Sequence, residues 1–100
     1  MLLYIDTSNR DTIVIGLDDE RFETLATKQK SQKLLPFLDE ILRKNGKTAN
    51  AISEITVVTH KGSYTGLRVG VTVAETLGWA LKIPVNGKRI DKGEKITINY

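Results

Sequence analysis

From Gly66 to Leu81 the chain reads "GLRVGVTVAETLGWAL", and this stretch limits what the rest can become. It predicts a helix, entered through the loop "KGSYTG" and running to Lys82. Gly66, Gly70, Ala74 and Gly78 recur every four residues, so one line along the helix carries almost no side chain and admits another backbone closely. Leu67, Val69, Val71, Val73, Leu77, Trp79, Ala80 and Leu81 make most of the remaining circumference apolar, while Arg68, Thr72 and Glu75 form a single narrow polar line. A helix lying on one sheet face should show a solvated half. In a chain of 100 residues there is little protein available to cover one that does not. The stripe is therefore expected to be an association surface made of Leu67, Gly70, Val71, Ala74, Leu77 and Gly78, joined by Leu34, Leu38 and Ile41 of the preceding helix. A two-fold homodimer, with the two helices packed on their counterparts, is the expected arrangement.

The preceding segments supply the sheet. "LLYIDTS" is a short apolar run ending in turn formers, "DTIVIGLDD" a β-branched run, and Asn9-Arg10-Asp11 between them a tight hairpin connection. "RFETLATK" alternates Phe22, Thr24 and Ala26 against Glu23, Leu25 and Thr27, as an edge strand does. In "SQKLLPFLDEILRKNG" the leucines and isoleucine recur at helical spacing, with Ser31 as a candidate N-cap and Gly46 as a natural residue just past the end. "TANAISE" is a short polar connection. "ITVVTH" is continuously apolar and predicts a central parallel strand covered on both faces. "IPVNGKRI", "DKGE" and "KITINY" read as strand, turn and strand. The order β-β-β-α-β-α-β with an extra C-terminal strand is the connectivity of a ribonuclease-H-like lobe, the half-unit of actin-like ATPases (the ASKHA group), forming one α/β domain over residues 1–100 with a mixed sheet.

Composition removes several classes. Without cysteine there are neither disulfides nor thiolate metal sites, which suits a reducing cytoplasm. Met1 leads straight into "LLYIDTS" without a basic region or cleavage site, so no secretory signal is expected. The apolar run from Gly66 to Leu81 carries Arg68 and Glu75 and is shorter than the roughly 20 residues a membrane span needs. A net charge of +3 permits nucleic-acid contact without arguing for it.

Catalysis is constrained by inventory. Asp6 at the end of the first strand could hold a hydrated Mg²⁺, and Thr7 and Ser8 could meet an anion; the plainer role is to cap the turn and satisfy loop backbone. A two-metal nuclease needs several converging carboxylates. Asp6 and Glu40 could be two, but Thr59-His60 stands where a further acid belongs. The only histidine, His60, rules out a His-Glu-x-x-His protease, and no nucleophile elbow is present. Gly62, Ser63, Thr65 and Gly66 form no Walker A loop, yet before a helix they could present N–H groups to an anion; the plainer role is again a turn and a cap. No catalytic residue and no metal ligand set is assigned.

"YIDTS", "KLLPFLDEIL", "GSYTGLRVG" and "ALKIPV", in that order over about residues 1–85, resemble the N-terminal domain of the TsaB (YeaZ) family. That resemblance implies an actin-like ATPase fold and a part in making the threonylcarbamoyladenosine (t6A) modification of transfer RNA. It implies a subunit that is not itself the transferase, that binds a TsaD-like catalytic subunit through its helices, and that forms a homodimer through much the same surface. Contact with transfer RNA would be at most indirect. The family usually has Gly-Pro where this chain has His60-Lys61, and a histidine where Lys30 stands. Residues 86–100, "NGKRIDKGEKITINY", resemble nothing in the family's second domain and are expected to form a divergent hairpin or tail. With one lobe supplying at most half of an ATP clamp, no cofactor is expected, Mg-ATP included. The alternative is an anion- or nucleotide-binding enzyme fragment using Asp6, Thr7 and Ser8 with the Gly62–Gly66 loop.

Overall fold

The computed structural model describes residues 1–99. Strands β1 (Leu2–Asp6), β2 (Thr12–Leu17) and β3 (Glu20–Leu25) precede helix α1 (Lys30–Lys44), strand β4 (Glu54–Val57) and helix α2 (Tyr64–Leu81). Single 3₁₀ turns lie at Ala49–Ala51 and Ile90–Lys92. The four strands form one mixed sheet in the order β3-β2-β1-β4. β1 is antiparallel to β2 and parallel to β4.

The register explains the core. Leu3 stands opposite Leu17 and Ile55, and Ile5 opposite Ile15 and Val57, so one face of the sheet is a continuous aliphatic layer. Leu34, Leu38, Ile41 and Leu42 of α1 and Val71 and Ala74 of α2 close over it in a single buried cluster. The alternation along β1, β2 and β4 fixes which face this is, because a slip of one residue would turn every aliphatic side chain to water. The opposite face carries Tyr4, Gly16 and Arg21 side by side. The Arg21 guanidinium lies 4.2 Å from the centre of the Tyr4 ring, across Gly16, where any larger side chain would collide with it.

Four expectations are corrected. β4 does not lie centrally between two covered faces: it is the last strand of the ladder, with Ile55 and Val57 buried and Glu54 and Thr56 exposed. Its threonine breaks the apolar run and faces water. α1 starts at Lys30, with Gln29 rather than Ser31 in the capping position and no side-chain cap. The C-terminal strands are also absent among the described residues. Val85 alone bridges Ile55, then Asn86 and Gly87 both turn into left-handed conformations and the chain leaves the sheet. Near the end, only Asn99 returns to the ladder direction, donating its N–H to the Thr59 carbonyl at 2.8 Å. Finally, α2 has a solvated side: Thr65, Arg68, Thr72, Thr76 and Trp79 are exposed.

Candidate functional site

The two loops singled out as anion binders do meet. Gly62 packs on the Ser8 backbone so closely that an added Cβ would stand 2.7 Å from the Ser8 carbonyl oxygen, which is why glycine is required there. Their polar atoms, however, are engaged within the fold. Asp6 Oδ1 accepts the Ser8 N–H at 2.9 Å and the Ser8 hydroxyl at 2.5 Å, a carboxylate closing its own turn. Thr7 is fully buried. Its hydroxyl donates to the Gly66 carbonyl at 2.7 Å and accepts the Gly70 N–H at 3.2 Å, tying the end of β1 to the first turns of α2. Ser63 caps α2 by accepting the Gly66 N–H at 3.1 Å. Thr65 is exposed beside it. Next to Asp6, the Tyr4 O–H lies 3.5 Å from Oδ2. Burial, and then the neighbouring Asp6 carboxylate, push the Tyr4 phenol up from its ordinary value. No three acidic or histidine side chains cluster as a metal cage among the described residues.

The surface assigned to association is corrected by burial. Leu34, Leu38, Ile41, Leu67, Gly70, Val71, Ala74 and Gly78 are all buried within this chain, and Leu77 is partly covered. The small-residue stripe is a close-approach device turned inward. A Cβ at Gly70 would come within 2.7 Å of the Thr7 hydroxyl and 3.3 Å of Ile5, and one at Gly78 would collide with Val85. The sheet below, rather than another molecule, occupies the space the glycines leave.

What the helices present outward is different. Leu35 on α1 and Tyr64 and Trp79 on α2 are the exposed large apolar side chains of the two helices, each at least 46% accessible. Between α1 and α2 runs a groove of about 500 Å³ lined by Ser31, Tyr64, Arg68, Val69, Thr72 and Val73. These residues were absent from the sequence-derived surface. Leu35 sits one place off the Leu34-Leu38-Ile41 row, and that offset was the available signal.

A family model described as TsaD, tRNA N6-adenosine threonylcarbamoyltransferase, matches residues 24–87. The chain belongs to this family. Its relatives include the tRNA threonylcarbamoyladenosine biosynthesis protein TsaB of Bacillus subtilis (strain 168), 35% identical over 89 residues, covering 85% of this chain and 39% of that protein. The TsaB proteins of Haemophilus influenzae and Escherichia coli K12 are 32% and 29% identical, covering 84% and 86% of this chain and 37% and 38% of theirs. Among solved structures, YeaZ from Pseudomonas aeruginosa superposes with a TM-score of 0.73 at 26% identity, over 84% of this chain and 41% of that one. The resemblance to TsaB is thus established, and the chain spans about two fifths of the length of these relatives. The family match ends at residue 87, at the glycine of the turn where the chain leaves the sheet.

Proposed function

We propose that this chain serves as a non-catalytic TsaB-like partner of a TsaD-like transferase in transfer RNA threonylcarbamoylation. Its fold would be a ribonuclease-H-like lobe of the actin-like ATPase type, acting in the cytoplasm. The observation that carries the reading is the exposed apolar set of the two helices, Leu35 on α1 with Tyr64 and Trp79 on α2, of which Tyr64 lines the groove beside α2, on a chain whose relatives are TsaB proteins. Single exposed apolar residues are ordinary, but three large ones on the outward sides of two helices, one of them lining a groove, are what a helical partner buries. Homodimerisation through the same faces is the companion proposal, and the two assemblies would compete. Phosphate handling by Asp6, Thr7 and Ser8 is the weaker alternative, because the carboxylate and both hydroxyls already serve the turn and the helix.

Co-expression with a tagged TsaD-like subunit from the same organism tests this. Wild-type protein should co-purify, and Leu35→Glu with Trp79→Glu should abolish capture while leaving the melting temperature nearly unchanged. Micromolar Mg-ATP binding by the isolated chain, with no capture by the subunit, would replace the scaffold reading with the nucleotide one.

A further inference from the structure

Arg10, Lys28 and Lys30 converge on a depression of about 270 Å³ that adjoins the apolar groove, sharing Ser31, Thr65 and Val69 with it. They come from three places in the chain: the β1–β2 loop, the turn before α1, and the first residue of α1. We propose that this depression seats a backbone phosphodiester of an RNA strand, so that this chain touches RNA directly. Only the choice of RNA as the polymer rests on the function proposed above.

Three features support a phosphate contact. Lys30 Nζ donates to the Arg10 carbonyl at 2.7 Å, which fixes one ammonium beside the cavity and leaves two of its three donors unassigned by that bond. Among the described residues no carboxylate lines the depression. The acid paired with these cations among the described residues is Asp11, 4.0 Å from Arg10 Nε, with both side chains more than half exposed. Such a pair is weak in water and yields readily to a phosphate. The α2 end adds little, since the Gly66 N–H is already bound by Ser63; the cations carry the attraction. The lining also favours a strand over a nucleotide. Among the described residues its one apolar side chain is Val69 and no aromatic ring lines it, so the depression itself offers no slot for a base. Contacts of this kind position a nucleic acid without reading its sequence.

Fluorescence anisotropy with a short labelled single-stranded RNA tests the proposal, using an Arg10→Gln/Lys28→Gln/Lys30→Gln variant. A Lys47→Gln/Lys88→Gln/Lys92→Gln variant removes equal charge elsewhere. The cavity variant should bind at least about tenfold more weakly at low salt, and its plot of log affinity against log salt should flatten by about two units, while the control stays near wild type. Should the triple variant fail to fold, Arg10→Gln/Lys28→Gln keeps the Lys30 tether and should show a smaller loss of the same kind. Equal weakening by both triple variants would reduce the effect to net charge and overturn the site. So would full displacement of RNA by stoichiometric ATP, which would make a nucleotide the ligand. Capture by the TsaD-like subunit, measured on the same variants, should be unchanged, so failure here is distinguishable from failure of the scaffold role.

Discussion

Thr7 is where strand, loop and helix are joined, and it is fully buried. Replacing it with valine keeps the shape but leaves the Gly66 carbonyl and Gly70 N–H without the hydroxyl that bridges them. Thr7→Val should therefore lose about 1–3 kcal/mol in chemical denaturation, without change in assembly. Gly70 faces the same hydroxyl. Gly70→Ala places a methyl 2.7 Å from Thr7 Oγ1, which must shift, so about 1–3 kcal/mol of stability should be lost and light scattering should be unaltered. A change in assembly at constant stability would restore the stripe as an interface. Asp91 is a milder case. The Arg89 guanidinium donates to both its oxygens, at 2.9 and 2.8 Å, and holds its carboxyl below the usual carboxylate range. Because the folded value is the lower one, this contribution is complete above the unfolded pKa of about 3.9 and disappears as pH falls through the folded value. The stability gap between wild type and Asp91→Asn should be constant from neutral pH to about 5 and close below about 4. A gap that widens on acidification would contradict the pairing.

At the scale of elements, the outer edge of β4 shows how a short sheet ends without a full neighbouring strand. The Ile55 N–H donates to the Pro84 carbonyl at 2.9 Å, and the Asn86 N–H donates to the Ile55 carbonyl at 2.8 Å. One step further, the Asn86 side chain takes over. Its Oδ1 accepts the Val57 N–H at 2.8 Å, and its Nδ2 donates to the Val57 carbonyl at 3.0 Å. An amide side chain thereby completes the pairing a strand backbone would otherwise make, and blunts an edge that invites other chains. Asparagine also tolerates the left-handed backbone at φ 51°. Asn86→Ala should cost about 1–3 kcal/mol, by losing both bonds and straining the turn. Asn86→Gly relieves the strain alone and should recover only part of that loss. Full recovery by glycine, read from thermal melts, would show that the amide contributes nothing.

Across the whole molecule, the segment after the family match closes the structure on itself. Ile90, Ile96 and Ile98 pack partly buried against the core, and Ile90 approaches the space that Gly78 leaves open. Ile90→Asp should therefore lower the melting temperature by several degrees through lost apolar burial, although residue 90 lies beyond the residues that the family model matches. An unchanged melt would mean the segment adds no stability to the fold. Much of this architecture was legible in the sequence. Alternation in "LLYID" and "TIVIGL", the leucine spacing of α1, the Ser63 cap and Gly46 are local signals, since period, capping and turn chemistry act over a few residues. The polar residues after β1 were likewise correctly located, and their proximity to Gly62 followed from the order of elements. What those residues bond to was not legible. The hydroxyl of Thr7 reaches Gly66 and Gly70 some sixty positions away, so only the packing of α2 on β1 decides whether it faces an anion or a helix backbone. The small-residue stripe shows the same limit: its spacing determined that something would approach α2 closely. That the visitor is the chain's own sheet, leaving Leu35, Tyr64 and Trp79 outside, was decided by tertiary structure, because close approach is a property of two surfaces and the sequence of a helix describes one.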